Sequence, residues 1–129
     1  DGYLFIVDRK KDIIIRGGEN ISAKEVEDVL HNHPDIREVA VVAMPHERLG
    51  EGVCAYIVPK SAGSALSLDS VAAFADQAQL ARQKIPQHIE LVEELPRTAS
   101  GKVRKDVLRA RIRESLRLQQ GSDDGALHA

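Results

Sequence analysis

A lysine set among small residues is the first place in this sequence where chemistry can be read. In Arg97-Thr98-Ala99-Ser100-Gly101-Lys102 the small side chains leave Lys102 on an exposed, adaptable backbone. A compact ammonium on a flexible stem can follow negative charge as it develops on phosphate or carboxylate oxygens, the electrostatic stabilisation on which most enzymes rely. A solvated loop lysine has the same appearance in sequence. The Gly101-Lys102 pair is not the phosphate loop of nucleotide hydrolases. That loop reads Gly-x-x-x-x-Gly-Lys-Ser/Thr, and here Pro96 replaces its first glycine and Val103 its hydroxyl residue.

The second candidate stretch is residues 8–21, Asp-Arg-Lys-Lys-Asp-Ile-Ile-Ile-Arg-Gly-Gly-Glu-Asn-Ile. Charged residues precede the apolar, β-branched Ile13-Ile14-Ile15, which has the composition of a short buried strand. Gly17 and Gly18 then permit backbone angles closed to other residues and a close approach of a second molecule. An ordinary glycine turn and a ligand-approach site both fit. Cys54 lies within the apolar run Val53-Cys54-Ala55-Tyr56-Ile57-Val58 and reads as a small buried hydrophobe rather than a nucleophile. His31 and His33, two residues apart, point to different sides of a helix and read as surface histidines, not as a metal pair.

These stretches need elements to hold them. Residues 2–7 predict a strand that pairs with residues 13–16 through a turn at 9–12, a small N-terminal β-hairpin. Ser22-Ala23-Lys24-Glu25 is a capping box that opens a helix with Val26, Val29 and Leu30 on one face, ending near residues 31–33 ahead of Pro34. Residues 39–44 and 53–58 are continuous apolar runs, the mark of central strands covered on both faces. Residues 61–67 read as a flexible surface loop, and Val71, Phe74, Ala75 and Ala78 predict a second amphipathic helix running to about Arg82. A short strand at residues 89–92 follows Pro86. From Lys105 to about Leu118, Leu108, Ile112 and Leu116 step by four beneath a basic face and predict a third helix, and residues 119–129 read as a disordered tail. The expected fold is α+β: a two-stranded N-terminal β-hairpin followed by a three-stranded sheet flanked by helices.

The chain has 129 residues, about one domain, with 43% hydrophobic and 29% charged residues but only 3% aromatics and no Trp, so its core must be aliphatic. No run approaches the roughly 18 apolar residues of a membrane span, and no secretory signal opens the chain, which points to a cytoplasmic protein. The sequence begins at Asp1 and its single methionine is Met44, which suggests a piece of something longer. The net charge of −2 conceals an asymmetry, because residues 97–117 carry eight Lys or Arg against Asp106 and Glu114. That basic arm suits a polyanionic small molecule, a nucleic acid or an acidic protein surface.

Three motifs in register favour the first of these. Asp8-Arg9-Lys10-Lys11-Asp12, then Gly17-Gly18-Glu19-Asn20-Ile21, then Leu95-Pro96-Arg97-Thr98-Ala99-Ser100-Gly101-Lys102-Val103 resemble the C-terminal domain of the adenylate-forming enzymes. That superfamily comprises acyl-CoA and aryl-CoA synthetases, firefly luciferases and peptide-synthetase adenylation domains. The resemblance covers residues 2–116. It implies a parent enzyme that uses ATP with Mg2+ to convert a carboxylic acid into acyl-AMP, then passes the acyl group to a thiol with release of AMP. It further implies that residues 1–118 are a mobile lid, with a hinge near residues 8–12, on an N-terminal catalytic domain absent from this chain.

Residue by residue, Lys102 matches the lysine that reaches the acyl carboxylate and α-phosphate during adenylation. Arg9 matches the arginine on the nucleotide ribose, and Lys11 the hinge position whose torsions change between two states. Gly17, Gly18 and Glu19 match the loop that lines the pantetheine tunnel for thioester formation. The Gly-Gly-Glu-Asn-Ile version looks like acid-CoA ligases more than peptide-synthetase domains, which makes CoA the expected thiol. Two positions depart from the pattern: Ile15 stands where luciferases carry a second lysine, and Gln83 where many synthetases have Tyr before Lys-x-Pro. The alternatives are the lid of an acyl-AMP ligase that loads a carrier protein, or a non-catalytic basic module that binds an acidic partner or nucleic acid. Few aromatics for base stacking and no nucleic-acid motif weigh against nucleic acid as a partner. By itself the chain is expected to be inactive and to hold no nucleotide tightly, since one lysine and one arginine cannot enclose one.

Overall fold

The two apolar runs form the long central strands that the sequence predicts. The computed structural model describes residues 12–61 and 65–128. In chain order they form β1 (Ile13–Arg16), β2 (Glu19–Ser22), α1 (Ala23–Leu30), β3 (Ile36–His46), β4 (Gly50–Pro59), α2 (Leu68–Gln77), a 3₁₀ turn (Arg82–Lys84), β5 (His88–Leu91) and α3 (Lys105–His128). The fold is α+β. β4 is its hub: it pairs antiparallel with β3 from Ile36↔Pro59 to His46↔Gly50, parallel with β5 over Cys54–Ile57, and with β1 at Arg16↔Gly50.

The described hairpin is a further one. Residues 2–7, the other strand of the predicted hairpin, lie outside the described residues, and Ile13–Arg16 pairs with Glu19–Ser22, from Ile13↔Ser22 to Arg16↔Glu19. Gly17 at φ 58° and Gly18 at φ 85° make the two-residue turn, with both angles positive as in a type I′ hairpin. The hairpin therefore belongs to the one five-stranded sheet rather than standing before it. Its strand alternates: Ile14 is buried, whereas Ile15 is 53% exposed, so the reading of a wholly buried run is corrected.

Both faces of the β3–β4 ribbon are covered, which explains its continuous hydrophobicity. Val41, Val53, Ala55 and Ile57 pack with Val26 and Leu30 of α1 and Val71 and Ala75 of α2. Val42, Cys54, Tyr56 and Val58 pack with Leu108 and Ile112 of α3 on the other side. Burying each Val, Ile or Leu contributes roughly 1.5–3 kcal/mol, so the aliphatic composition suffices without tryptophan.

The helix ends show where local chemistry prevailed. Ser22 caps α1 by accepting the Glu25 amide at 3.3 Å, but the Glu25 carboxylate pairs with Lys84 at 2.9 Å, so only half of the predicted capping box forms. The complete reciprocal box is Ser67 with Ser70 at the start of α2. α2 stops before Arg82 because Gln79 adopts φ 66°, and Gln79 and Leu80 donate their amides back to Asp76 and Ala75, each at 3.0 Å, in a Schellman closure. α3 continues past Leu118 to His128, where the sequence suggests a disordered tail. No proline follows Lys105, and Gly121 and Gly125 weaken a helix without forbidding it.

Candidate functional site

Lys102 sits at the foot of a closed loop rather than on a loose one. Arg97 and Val103 form an antiparallel bridge across it. Inside, the Thr98 amide donates to the Lys102 carbonyl at 2.8 Å, the Gly101 amide to Thr98 at 2.9 Å, and the Lys102 amide to Thr98 Oγ1 at 3.2 Å. Gly101 takes φ 91°, which a side chain would strain. Arg97 secures the loop from outside: one Nη donates to the Gly101 carbonyl at 2.7 Å and the other to Glu38 on β3. Lys102 itself is exposed. Its presentation is thus preorganised, and the sequence reading missed Arg97 as the residue responsible, although it lies within the motif.

The glycine turn is anchored elsewhere. The Gly17 amide donates to the Leu49 carbonyl at 2.9 Å, in the connection between β3 and β4, and Glu19 is exposed just beyond. A Cβ on Gly17 would meet Leu49 Cδ2 at 3.2 Å, whereas one on Gly18 would meet open space. Arg16 Nη1 donates to the main-chain carbonyl of Gln83 at 3.1 Å. That contact is indifferent to the side chain at residue 83. Arg9 and Lys11 lie outside the described residues.

The two candidate sites are held at opposite ends of one ribbon. The Lys102 loop is tied to Glu38, which pairs with Val58, while the glycine turn is tied to Leu49, beside the His46↔Gly50 pair. Glu38 and His46 are eight residue steps apart along β3, about 26 Å at 3.3 Å per residue. An open groove of about 900 Å3 lies at the glycine-turn end, lined by Met44, His46, Arg48, His88, Arg113 and Arg117 among others, and Lys102 does not line it. Nδ1 of His46 accepts the amides of Arg48 at 3.2 Å and Leu49 at 3.1 Å, which leaves Nε2–H as its donor. Arg117 hydrogen-bonds Glu114 at 2.7 Å and holds that carboxyl below its ordinary range.

Other reactive groups are occupied structurally. Burial, with a smaller contribution from Glu90, pushes the Cys54 thiol up to about 12, so it is no nucleophile near neutral pH. Burial likewise raises the Tyr56 phenol to about 12, and its hydroxyl donates to the Leu108 carbonyl at 3.2 Å. His33 accepts the Asp35 amide at 3.0 Å, and its ring lies 4.7 Å from that of Phe74. Among the described residues no helix is long and apolar enough to cross a membrane.

Residues 25–102, more than half of the chain, match the family model of the AMP-binding enzyme C-terminal domain. The chain belongs to that family. As an AMP-binding enzyme C-terminal domain it is 54% identical over 115 residues to the medium-chain fatty-acid–CoA ligase of Escherichia coli, covering 89% of this chain and 20% of that protein. It is 46% identical over 109 residues to 2-methylpropanoate–CoA ligase CCL4 of Humulus lupulus, covering 84% of this chain and 20% of that protein. The crystal structure of ATP-bound MatB from Rhodopseudomonas palustris superposes at a TM-score of 0.74 with 38% identity, over 79% of this chain and 20% of that one. The domain spans about a fifth of the length of the curated relatives it matches.

Proposed function

We propose that this domain is the mobile lid of an ATP-dependent acid-CoA ligase, which makes acyl-AMP from a carboxylic acid and transfers the acyl group to CoA. The observation that carries the reading is that the Lys102 loop and the glycine turn are tied to opposite ends of the β3–β4 ribbon, at Glu38 and beside His46, positions about 26 Å apart along the strand. Two sites so far apart on one rigid sheet serve one reaction centre only in alternation, which calls for a rotation between half-reactions.

In the first state Lys102 offers its ammonium to the acyl carboxylate and the α-phosphate of ATP, where charge builds as pyrophosphate departs. Arg9 holds the ribose hydroxyls in the same state. Mg2+ accompanies the ATP phosphates; among the described residues no group of three or more His, Cys, Asp or Glu is gathered to hold it. Rotation about Lys11 then withdraws Lys102 and brings in Gly17, Gly18 and Glu19 to line the pantetheine tunnel. The two glycines give the thiol arm close access to backbone. The neighbouring groove, lined by Arg48, Arg113, Arg117 and His46, receives the phosphates of CoA. The partner of the lid is the N-terminal domain of the parent enzyme, which supplies the acyl pocket and most of the ATP site.

The test uses the parent enzyme. Lys102→Ala is expected to lower acid-dependent ATP–pyrophosphate exchange by about a thousandfold while changing thioester formation from supplied acyl-adenylate by less than about threefold. Equal loss in both half-reactions would overturn the reading. The isolated 129 residues are expected to catalyse no pyrophosphate exchange.

A further inference from the structure

Three side chains that this reading leaves unused meet at the start of α3. Lys105, its first residue, extends its ammonium to the Asp12 carboxylate at 3.1 Å and to Glu27 of α1 at 2.8 Å. With the same Oε2, Glu27 accepts the amide of Val41 on β3 at 2.8 Å. Only 18% of the Lys105 side chain and 21% of that of Glu27 are exposed, so solvent and salt screen this pair less than a surface pair such as Lys24 with Asp28. The Asp12 carbonyl also accepts the Ala23 amide at 2.8 Å, so Asp12 is held by both main chain and side chain.

Sequence position gives the cluster its meaning. Asp12 directly follows Lys11, and Lys105 lies three residues beyond Lys102. One ammonium therefore joins the end of the proposed hinge to the root of the loop that carries the proposed catalytic lysine. We infer that Lys105 is a positioning residue, which with Asp12 and Glu27 ends the hinge at Lys11 and makes the chain beyond it turn as one body. The inference rests on the lid reading. A hinge transmits a torsion change only when the chain leaving it cannot bend. Without the ammonium, bending spreads into Asp12 and β1, and Lys102 and the glycine turn each arrive over a range of positions. A misplacement near 1 Å is enough to slow a reaction about a hundredfold.

The test measures both half-reactions of the parent enzyme, well below its melting temperature, in Asp12→Asn, Lys105→Met and Lys105→Arg, beside Lys102→Ala. Asp12→Asn removes only the hinge-side arm and leaves Lys105 paired with Glu27. The expected result for Lys105→Met is a fall of about tenfold in kcat for both adenylation and thioester formation, with KM for ATP, acid and CoA within about twofold. Asp12→Asn should show the same split at about threefold, and Lys105→Arg should recover most of the rate. A pair that only stabilises the fold would lower the melting temperature and leave both kcat values unchanged in the folded enzyme, and that result overturns the inference. Should Lys105→Met fail to fold, unchanged kcat values in Asp12→Asn overturn it alone. If Lys102→Ala spares adenylation, the lid reading fails first and this inference with it, a failure distinct from normal rates in the Lys105 variants.

Discussion

Arg97 donates to the carbonyl of Gly101 at 2.7 Å, one residue ahead of Lys102, while its second amino group holds Glu38 on β3. The planar fork thus fixes the loop against the sheet in two directions, which a single ammonium cannot reproduce. Arg97→Ala and Arg97→Lys in the parent enzyme are both expected to lower adenylation by about tenfold with little change in melting temperature. ATP–pyrophosphate exchange on each variant checks this. An Arg97→Lys enzyme of full activity would show that Lys102 needs no such support.

The glycine turn makes a prediction on the other half-reaction. Gly17 and Gly18 hold φ of 58° and 85°, so an alanine at either costs about 1–2 kcal/mol in backbone strain. Gly17→Ala also crowds Leu49 Cδ2 at 3.2 Å, so it should destabilise more than Gly18→Ala. Both should slow thioester formation and spare adenylation. Gly18→Asn should be milder than Gly18→Ala, because Asn adopts positive φ more readily. Melting temperatures and the two half-reaction rates separate strain from loss of the tunnel.

At the groove, Arg113→Ala and Arg117→Ala are expected to raise KM for CoA by about three- to tenfold each, more at low salt, with pyrophosphate exchange unchanged. Arg117 is shared with Glu114, so its removal should matter less than that of Arg113. Salt-independent CoA affinity in both variants would assign the CoA phosphates elsewhere.

Stability should fall on the alkaline side. Burial raises the Cys54 thiol from 9.0 to about 12 and the Tyr56 phenol from 10.0 to about 12 in the folded chain. Below pH 9 both states keep these protons and stability is at its full value. Above it the unfolded chain binds fewer protons than the folded one, so stability is lost as pH rises toward 12, at up to about 1.4 kcal/mol per pH unit and group. Cys54→Ala should move the onset from about pH 9 to about pH 10, when urea midpoints are measured across this range. The same burial should keep Cys54 unreactive to thiol reagents until the chain unfolds.

Periodicity and turn chemistry made much of this molecule legible. The runs around Val41 and Ala55 announced strands covered on both faces, the four-residue steps of Leu108, Ile112 and Leu116 announced α3, and Pro34 marked the end of α1. The motif with Lys102 led to the family, because motif spacing survives where detailed packing does not show. Other features depended on pairings and contacts that residue type alone does not announce. Ile15 looked like its buried neighbour until pairing with β2 assigned it to the exposed side. Glu25 could have closed its own capping box, but the fold placed Lys84 beside it. Gln79 ended α2 without the glycine that usually signals such a stop.

The sequence by itself determined the α+β class, the aliphatic core, the family and the residues able to do chemistry, because these follow from residue type, local spacing and short-range sterics. Only the tertiary structure decided that Lys102 is pinned through Arg97 to Glu38, that the glycine turn leans on Leu49 at the far end of the same ribbon, and that Lys105 reaches back to Asp12. Each of those contacts joins residues more than thirty positions apart or depends on one that does, and local sequence carries no information about which distant partner a side chain will meet.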